Sequence, residues 1–438
     1  MTGTGPYAAG RSDVRSVADA AGLPGAGWDG LLGAEDFFQT SRWLAVQERN
    51  SGTTMDFLMR HRDGDPVAGL VAAWADDSVP WLLARPDAML SRALEDGGTP
   101  EAEAVLREVA GGDPAALLPS LVCGGRHLGR TRALAGPHAG PGDVEALVER
   151  AEQLARERGA ASVCFPHVDV RDAALVDLLH ARGYRSHLSA HYAWLPIPAG
   201  GWDEFLAGMS KHRRRRVRLE RRALAEAKVE VHLEPLTKAL APRLGELDCN
   251  LLRKYGNPAS PEHSAGLLSW ISEVMGDDAM VSVARQNGAI IGFGMVLRSR
   301  ARGEEQWFGH RAGFDYEAQG KLPLYYDVLY YRVLEAAARE GVSVLHAGIG
   351  SIEAKLARGC RASEEHAFLL RLDRTGSGGG TAVVPRAESG DTARVPRQAS
   401  PRAAGAGRPA GESDTPSPPS DRETDAPLRT SDRETTTR

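Results

Sequence analysis

Ala279-Met-Val-Ser-Val-Ala-Arg-Gln-Asn287-Gly288-Ala-Ile-Ile-Gly-Phe-Gly-Met-Val-Leu297 is the stretch on which the fold turns. Two apolar runs flank an Asn-Gly pair. Asn and Gly both tolerate the positive φ angles of a tight hairpin turn, so Ala279–Arg285 and Ala289–Leu297 read as adjacent antiparallel strands. Toward the C-terminus follow a strand at Gln306–Gly313, a helix at Leu324–Glu340, a strand at Val342–Ala347, a short helix at Glu353–Arg358 and a strand at Glu365–Leu372. Toward the N-terminus lie helices at Trp202–Ala227, Thr237–Tyr255 and Pro261–Met275, with a strand at Val229–Pro235. Strands and helices alternate, which is an α/β (α+β) pattern with a mixed, mostly antiparallel sheet.

The same plan recurs earlier in the chain. Asp56–Arg62 and Pro66–Ala75 flank Asp63-Gly64-Asp65 as a second hairpin. Val144–Arg158 carries Leu147, Val148, Ala151 and Leu154 at helical spacing, Ala161–Val168 reads as a buried strand, and Asp172–Arg182 as a helix ended by Gly183. Tyr184–Pro198 is a long strand. The Pro198/Gly200/Gly201 junction then divides the chain into two lobes, 12–198 and 199–373. Beyond Arg374 the composition turns to Gly, Ser, Thr, Pro and charged residues, too poor in apolar groups to offset ordering entropy, so 374–438 is expected to be a disordered tail.

The whole chain has 438 residues, 42% of them hydrophobic and 25% charged, enough for two ordinary cores. No run of about 18 apolar residues and no secretory pattern at the start is visible, so a membrane span is not expected and the protein is expected in the cytoplasm. Four cysteines lie far apart without metal-ligand spacing, so neither a zinc site nor disulfides are expected. The net charge of −5 excludes a globally basic DNA binder, and polyanion contact must come from a local patch.

That patch is Lys211-His-Arg-Arg-Arg-Arg-Val-Arg-Leu-Glu-Arg-Arg222, one Lys and seven Arg on a single helix. Helical spacing lines up Arg214, Arg218 and Arg221, with Arg215 beside them, as a phosphate-binding ridge; the plain alternative is a solvated face paired to Glu220 and Glu226. In Leu345-His-Ala-Gly348-Ile-Gly350-Ser351-Ile-Glu353-Ala-Lys355 a strand enters a glycine-rich turn that permits close backbone approach of a ligand at Gly348, Gly350 and Ser351. Only six of the 53 basic residues are lysines, so Lys355 at a strand end stands out as an ammonium able to meet a developing oxyanion; an ordinary exposed helical lysine is the alternative. His310, Asp315 and Tyr326, around the end of the Gln306 strand and the start of the next helix, are candidates for proton transfer and for holding an amine, although Tyr326 equally suits a core position.

The order of these features resembles the Fem-like members of the GNAT acyltransferases, with tandem lobes. The resemblance rests on Ser41-Arg-Trp43, the basic helix, Lys254-Tyr-Gly256, the Asn287-Gly hairpin leading to Ile291-Gly292, the helix entered at Pro323, and Gly348-Ile-Gly350 followed by Lys355 and Gly359. It implies an enzyme that passes an aminoacyl group from aminoacyl-tRNA to a small-molecule or peptide amine, in cell-wall or specialised-metabolite biosynthesis, with Lys355 helping the tetrahedral intermediate. No cofactor is expected beyond the donor co-substrate. Two other readings stay open: an acyl-CoA-dependent N-acetyltransferase, although Glu317-Ala-Gln-Gly-Lys-Leu-Pro-Leu324 has one glycine where a pyrophosphate loop needs more, and a non-catalytic RNA- or nucleotide-binding module on the same fold.

Overall fold

The computed structural model describes residues 13–125, 130–254 and 259–373. The expected tail at 374–438 lies outside them, as do Tyr255 and Gly256. The Asn287-Gly288 turn forms as its chemistry dictates, with φ of 50° and 81°, and pairs β9 (Ala279–Gln286) with β10 (Ala289–Ser299). The earlier strands are β1 (Val14–Val17), β2 (Met55–Arg62), β3 (Asp65–Ala75), β4 (Ser120–Cys123), β5 (Leu134–Ala135), β6 (Ser162–Asp169), β7 (Arg185–Pro196) and β8 (Val229–Pro235). The later ones are β11 (Gln306–Phe314), β12 (Val344–Gly348) and β13 (Arg361–Arg371). β4 has no strand signature in the sequence, because four residues followed by a Gly-Gly pair carry too little periodicity.

The sheet runs β1-β2-β3-β4-β6-β13-β7-β12-β11-β10-β9-β8, with β5 on β3. It does not divide at Pro198. β13, the last strand of the described residues, inserts between β6 and β7 of the first half, and β7 in turn pairs with β12 of the second. The interlock extends to the helices. Phe37, Phe38 and Trp43, the last on α1 (Ser41–Ser51), share a core with Leu244, Leu247 and Phe308 of the second half, and Arg42 pairs with Asp278 at 2.6 Å. The described residues accordingly fall within one compact unit.

The remaining helices are α2 (Pro86–Glu95), α3 (Pro100–Glu108), α4 (Pro141–Glu157), α5 (Ala173–Ala181), α6 (Gly201–Gly208), α7 (Lys211–Glu226), α8 (Ala241–Lys254), α9 (Pro261–Met275), α10 (Tyr316–Gln319), α11 (Leu324–Tyr326), α12 (Arg332–Arg339) and α13 (Ile352–Leu356). The single helix expected over Trp202–Ala227 is two. Met209 is extended and Ser210 accepts the Arg213 amide as an N-cap, a geometry that ends one helix and starts another. The helix expected over Leu324–Glu340 is interrupted by a π segment at Asp327–Tyr331. All four cysteines are buried and free.

Candidate active site

In each half a pair of parallel strands begins together and then parts. β11 and β12 pair only over Gln306–Phe308 and Val344–His346, yet β11 runs on to Phe314; β4 and β6 pair only over Ser120–Val122 and Ser162–Cys164, yet β6 runs on to Asp169. Where parallel neighbours diverge, the carboxyl ends leave room for a ligand. In the first half Thr131 and Arg132 bridge the split, their amides donating to the carbonyls of His167 and Gly124, and the two strand splits approach each other head on. Asp169 is in register with Glu365, Glu365 with Ala190 of β7, and Gly348 with Ala193 of the same strand. The ends of β6 and β12 are therefore three strand spacings apart laterally and three residues apart along β7, or about 17 Å.

At the end of β12 the chain makes a left-handed turn, with φ of 69° at Gly348, 79° at Gly350 and 47° at Ser351. Lys355 turns back under it. Its Nζ donates to the carbonyl oxygens of Ala347, Gly348 and Ile349 at 2.7, 2.8 and 2.7 Å, and the residue is 3% exposed. This removes the exposed-lysine alternative. Burial lowers its pKa to about 8, while three carbonyl dipoles aimed at Nζ favour the ammonium form. All three of its N–H donors are used. A trans peptide places each N–H opposite the preceding carbonyl, so the amides of Gly348, Ile349 and Gly350 point away from Lys355 as a run. Those of Ile349 and Gly350 have no hydrogen-bond partner among the described residues. Consecutive amides facing one way form a cradle for negative charge.

The basic helix borders this turn. Arg213 donates to the Ala357 carbonyl, and Arg358, just after α13, lies 3.5 Å from Glu220. The expected ridge is not continuous. Arg214 hydrogen-bonds the Ala207 and Met209 carbonyls at the end of α6. Arg221 is drawn inward by Asp327 at 3.0 Å and Glu335 at 2.6 Å and lies over the Trp202 ring. Arg216 and Arg222 pair with Glu220 and Glu226. Arg215 and Arg218 are exposed and without an ionic partner among the described residues.

Tyr326 stands under the Arg358 guanidinium, 3.6 Å from its ring centroid, and beside Tyr331, whose hydroxyl donates to Glu220. His310 meets the Trp43 ring edge-on at 4.8 Å. Asp315 accepts the Ala318 amide as the cap of α10 and pairs with Arg243 at 2.7 Å, and the two interactions hold its carboxyl below the usual range. Asp315 lies five positions beyond His310 on an extended segment, about 16 Å away, so the two do not form a pair. The structure thus brings Lys355, Gly348, Gly350 and Ser351 together, with the basic helix and Tyr326 at their border, and leaves Asp315 elsewhere.

Between the two openings lies a buried polar cluster that the sequence did not reveal. Arg130 is 2% exposed, bonded to Glu35 and 3.9 Å from Asp169, with its guanidinium over Tyr192 at 4.4 Å. Glu365 is fully buried, its oxygens unpartnered, and burial lifts its pKa to about 8; His167, 3.7 Å away, is pushed down to about 4 by burial. His346 stacks on Phe308 at 4.2 Å and meets Gln306 at 2.8 Å. These residues are scattered from 35 to 365, and strand exchange brings Glu365 and His346 to the others.

Residues 128–376, more than half of the chain, match the FemAB-like family, described as peptidoglycan biosynthesis and recognition. The chain belongs to this family. It is a Fem-like acyltransferase. No curated protein sequence matches it. Among solved structures, FemX is similar at 12% identity and a TM-score of 0.53, over 82% of this chain and 98% of that one, a likeness of fold. A tandem GNAT protein from the clavulanic acid biosynthesis pathway aligns at 14% identity and a TM-score of 0.49, over 83% of this chain and all of the other. Among the described residues no helix is long and apolar enough to cross a membrane, and no cluster of His, Cys, Asp and Glu could hold a metal ion.

Proposed function

We propose that the protein is an aminoacyltransferase that moves an aminoacyl group from aminoacyl-tRNA to the amine of a small molecule or peptide in peptidoglycan assembly. The observation that carries this reading is the run of amides at Gly348–Gly350, turned outward because Lys355 holds the carbonyls behind them. The amine nitrogen attacks the ester carbon of the donor, and the carbonyl oxygen becomes an oxyanion that the amides of Ile349 and Gly350 receive. Collapse breaks the ester C–O bond, the new C–N bond becomes a peptide bond, and the amine proton leaves to the departing ribose hydroxyl through water or His310. Asp315, held ionised by a cap and an arginine, is the weaker proton acceptor. Lys355 acts by holding the cradle, while Arg215 and Arg218 hold RNA phosphates. The aminoacyl-tRNA is a co-substrate, and the reading needs no resident cofactor.

The test incubates the protein with a pool of radiolabelled aminoacyl-tRNAs, with and without amine acceptors. Acceptor-dependent loss of label confined to one amino acid, and abolished in the Arg215→Ala/Arg218→Ala double variant, supports the assignment. Absence of loss together with stabilisation by acetyl-CoA would instead establish an acyl-CoA donor; RNA binding without any transfer would establish a binding module.

A further inference from the structure

The first-half cleft, roughly 650 Å3 between β5, the start of α4, the start of α5 and the end of β6, has a wall rich in unused donors. Arg132 lines it, and Arg130, 2% exposed, stands behind Glu35. An arginine carries five N–H donors. Among the described residues these two guanidinium groups hydrogen-bond one atom only, Oε2 of Glu35, which accepts from Nη1 of Arg130 and, at 3.1 Å, from Nη2 of Arg132. Nε and Nη2 of Arg130 and Nε of Arg132 are buried without a hydrogen-bond partner. Asp36 at 3.4 Å and Asp172 at 3.7 Å from Arg132, and Asp169 at 3.9 Å from Arg130, supply charge without hydrogen bonds. We infer that the Arg130/Arg132 pair is the receptor for a carboxylate of the acceptor and that Glu35 occupies it as an internal stand-in, an inference that rests on the transferase reading above.

Nε and Nη2 lie along one edge of a guanidinium, the fork that takes both oxygens of a planar carboxylate. Glu35 leaves that edge of Arg130 unused. Its side chain is 42% exposed against 2% for the arginine it serves, so Glu35 is the partner free to leave. Charge requires that it does. Glu35, Asp36, Asp169 and Asp172 already outnumber Arg130, Arg132 and Arg171, and Glu145 is turned to Arg182, so an added anion meets repulsion, whereas one carboxylate exchanged for another leaves the balance as it was. A phosphate, of higher charge, suits the cleft less for the same reason. The floor, formed by Leu134, Val144, Leu175 and Leu178, is apolar and accommodates an aliphatic stem behind the carboxylate.

The probe is pentanoate, added to the full chain, with pentanamide, pentylamine and pyrophosphate as neutral, cationic and polyanionic counterparts. Glu35→Ala removes the carboxylate that both arginines hydrogen-bond, so its Tm is expected to fall, and pentanoate is expected to restore it in a saturable manner that the other three compounds do not match. Arg132→Leu in the same background should abolish the restoration. Glu35→Gln, closer to the parent in shape, gives a second measurement: calorimetry should find pentanoate bound about fivefold more tightly than by the parent. Rescue by pentylamine or pyrophosphate, equal rescue by pentanamide, or pentanoate binding unaltered in all these variants would overturn the receptor. In the transfer assay pentanoate should compete with the amine acceptor, and absence of competition would overturn the assignment to the acceptor. The two readings fail separately. Rescue without any aminoacyl transfer leaves the receptor and removes the transferase; transfer without rescue leaves the transferase and removes the receptor.

Discussion

Lys355 is a residue whose burial changes its meaning. A lysine that spends all three donors on one turn positions backbone amides instead of touching the reacting atoms, so its loss should lower turnover more than substrate affinity. Lys355→Ala is expected to reduce kcat by about 100-fold, the effect of losing one oxyanion donor, with KM for RNA little changed. Steady-state kinetics on the labelled donor checks this, and a selective rise in KM would count against it. Glu365 carries a second prediction. Its ordinary value is 4.5 and burial lifts it to about 8, so the folded state holds a proton that the unfolded state releases. Stability from this group is complete below about pH 4.5 and declines as pH rises toward 8. Glu365→Gln, neutral at every pH, should match the parent near pH 5 and melt progressively higher than it up to pH 8. Parallel melting curves across that range would show that Glu365 is already ionised in the fold.

The basic helix α7 shows how an element divides its charges between architecture and ligand. Five of its seven arginines bond to carbonyls or carboxylates of the protein, and Arg215 and Arg218 do not. Arg215→Ala/Arg218→Ala should weaken RNA binding and flatten its dependence on log salt by about 0.7 to 0.9 per lost phosphate contact. Arg216→Ala/Arg222→Ala, of equal charge change, should do less. Filter binding at several salt concentrations distinguishes the pairs, and equal effects would mean that net charge alone matters. Arg221→Ala acts differently again, since it leaves buried Asp327 with Arg332 as its remaining partner at 3.3 Å; a loss of about 2 kcal/mol in stability is expected by denaturant titration.

For the whole molecule, β13 is the strand that matters most. It is hydrogen-bonded on both sides and joins the sheets of the two halves, while Phe37, Phe38 and Trp43 reach into the second-half core. The halves should therefore unfold together, as one calorimetric transition of the folded part. Two separate transitions would show that the strand exchange contributes little to cooperativity.

Local chemistry made much of this legible in advance. The Asn287-Gly288 turn, the ends of α5 at Gly183 and of β12 at Gly348, and the apolar spacing of α4 depend on residues within a few positions of one another, and propensity acts over that range. So does the glycine-rich turn that Lys355 completes, because seven residues on a strand–turn–helix suffice to bring Nζ beneath it. What lay beyond reach was everything decided by long-range pairing. Asp315 facing Arg243 and Arg221 turning inward to Asp327 depend on contacts between segments 72 and 106 residues apart, while the joining of Glu365 to Glu35, Arg130 and His167 and the lack of a sheet boundary at Pro198 follow from β13 crossing into the first half. Sequence dictates which segments are strands and which faces are apolar; which strands become neighbours is settled only when every buried edge must find a partner, a condition that belongs to the folded molecule as a whole.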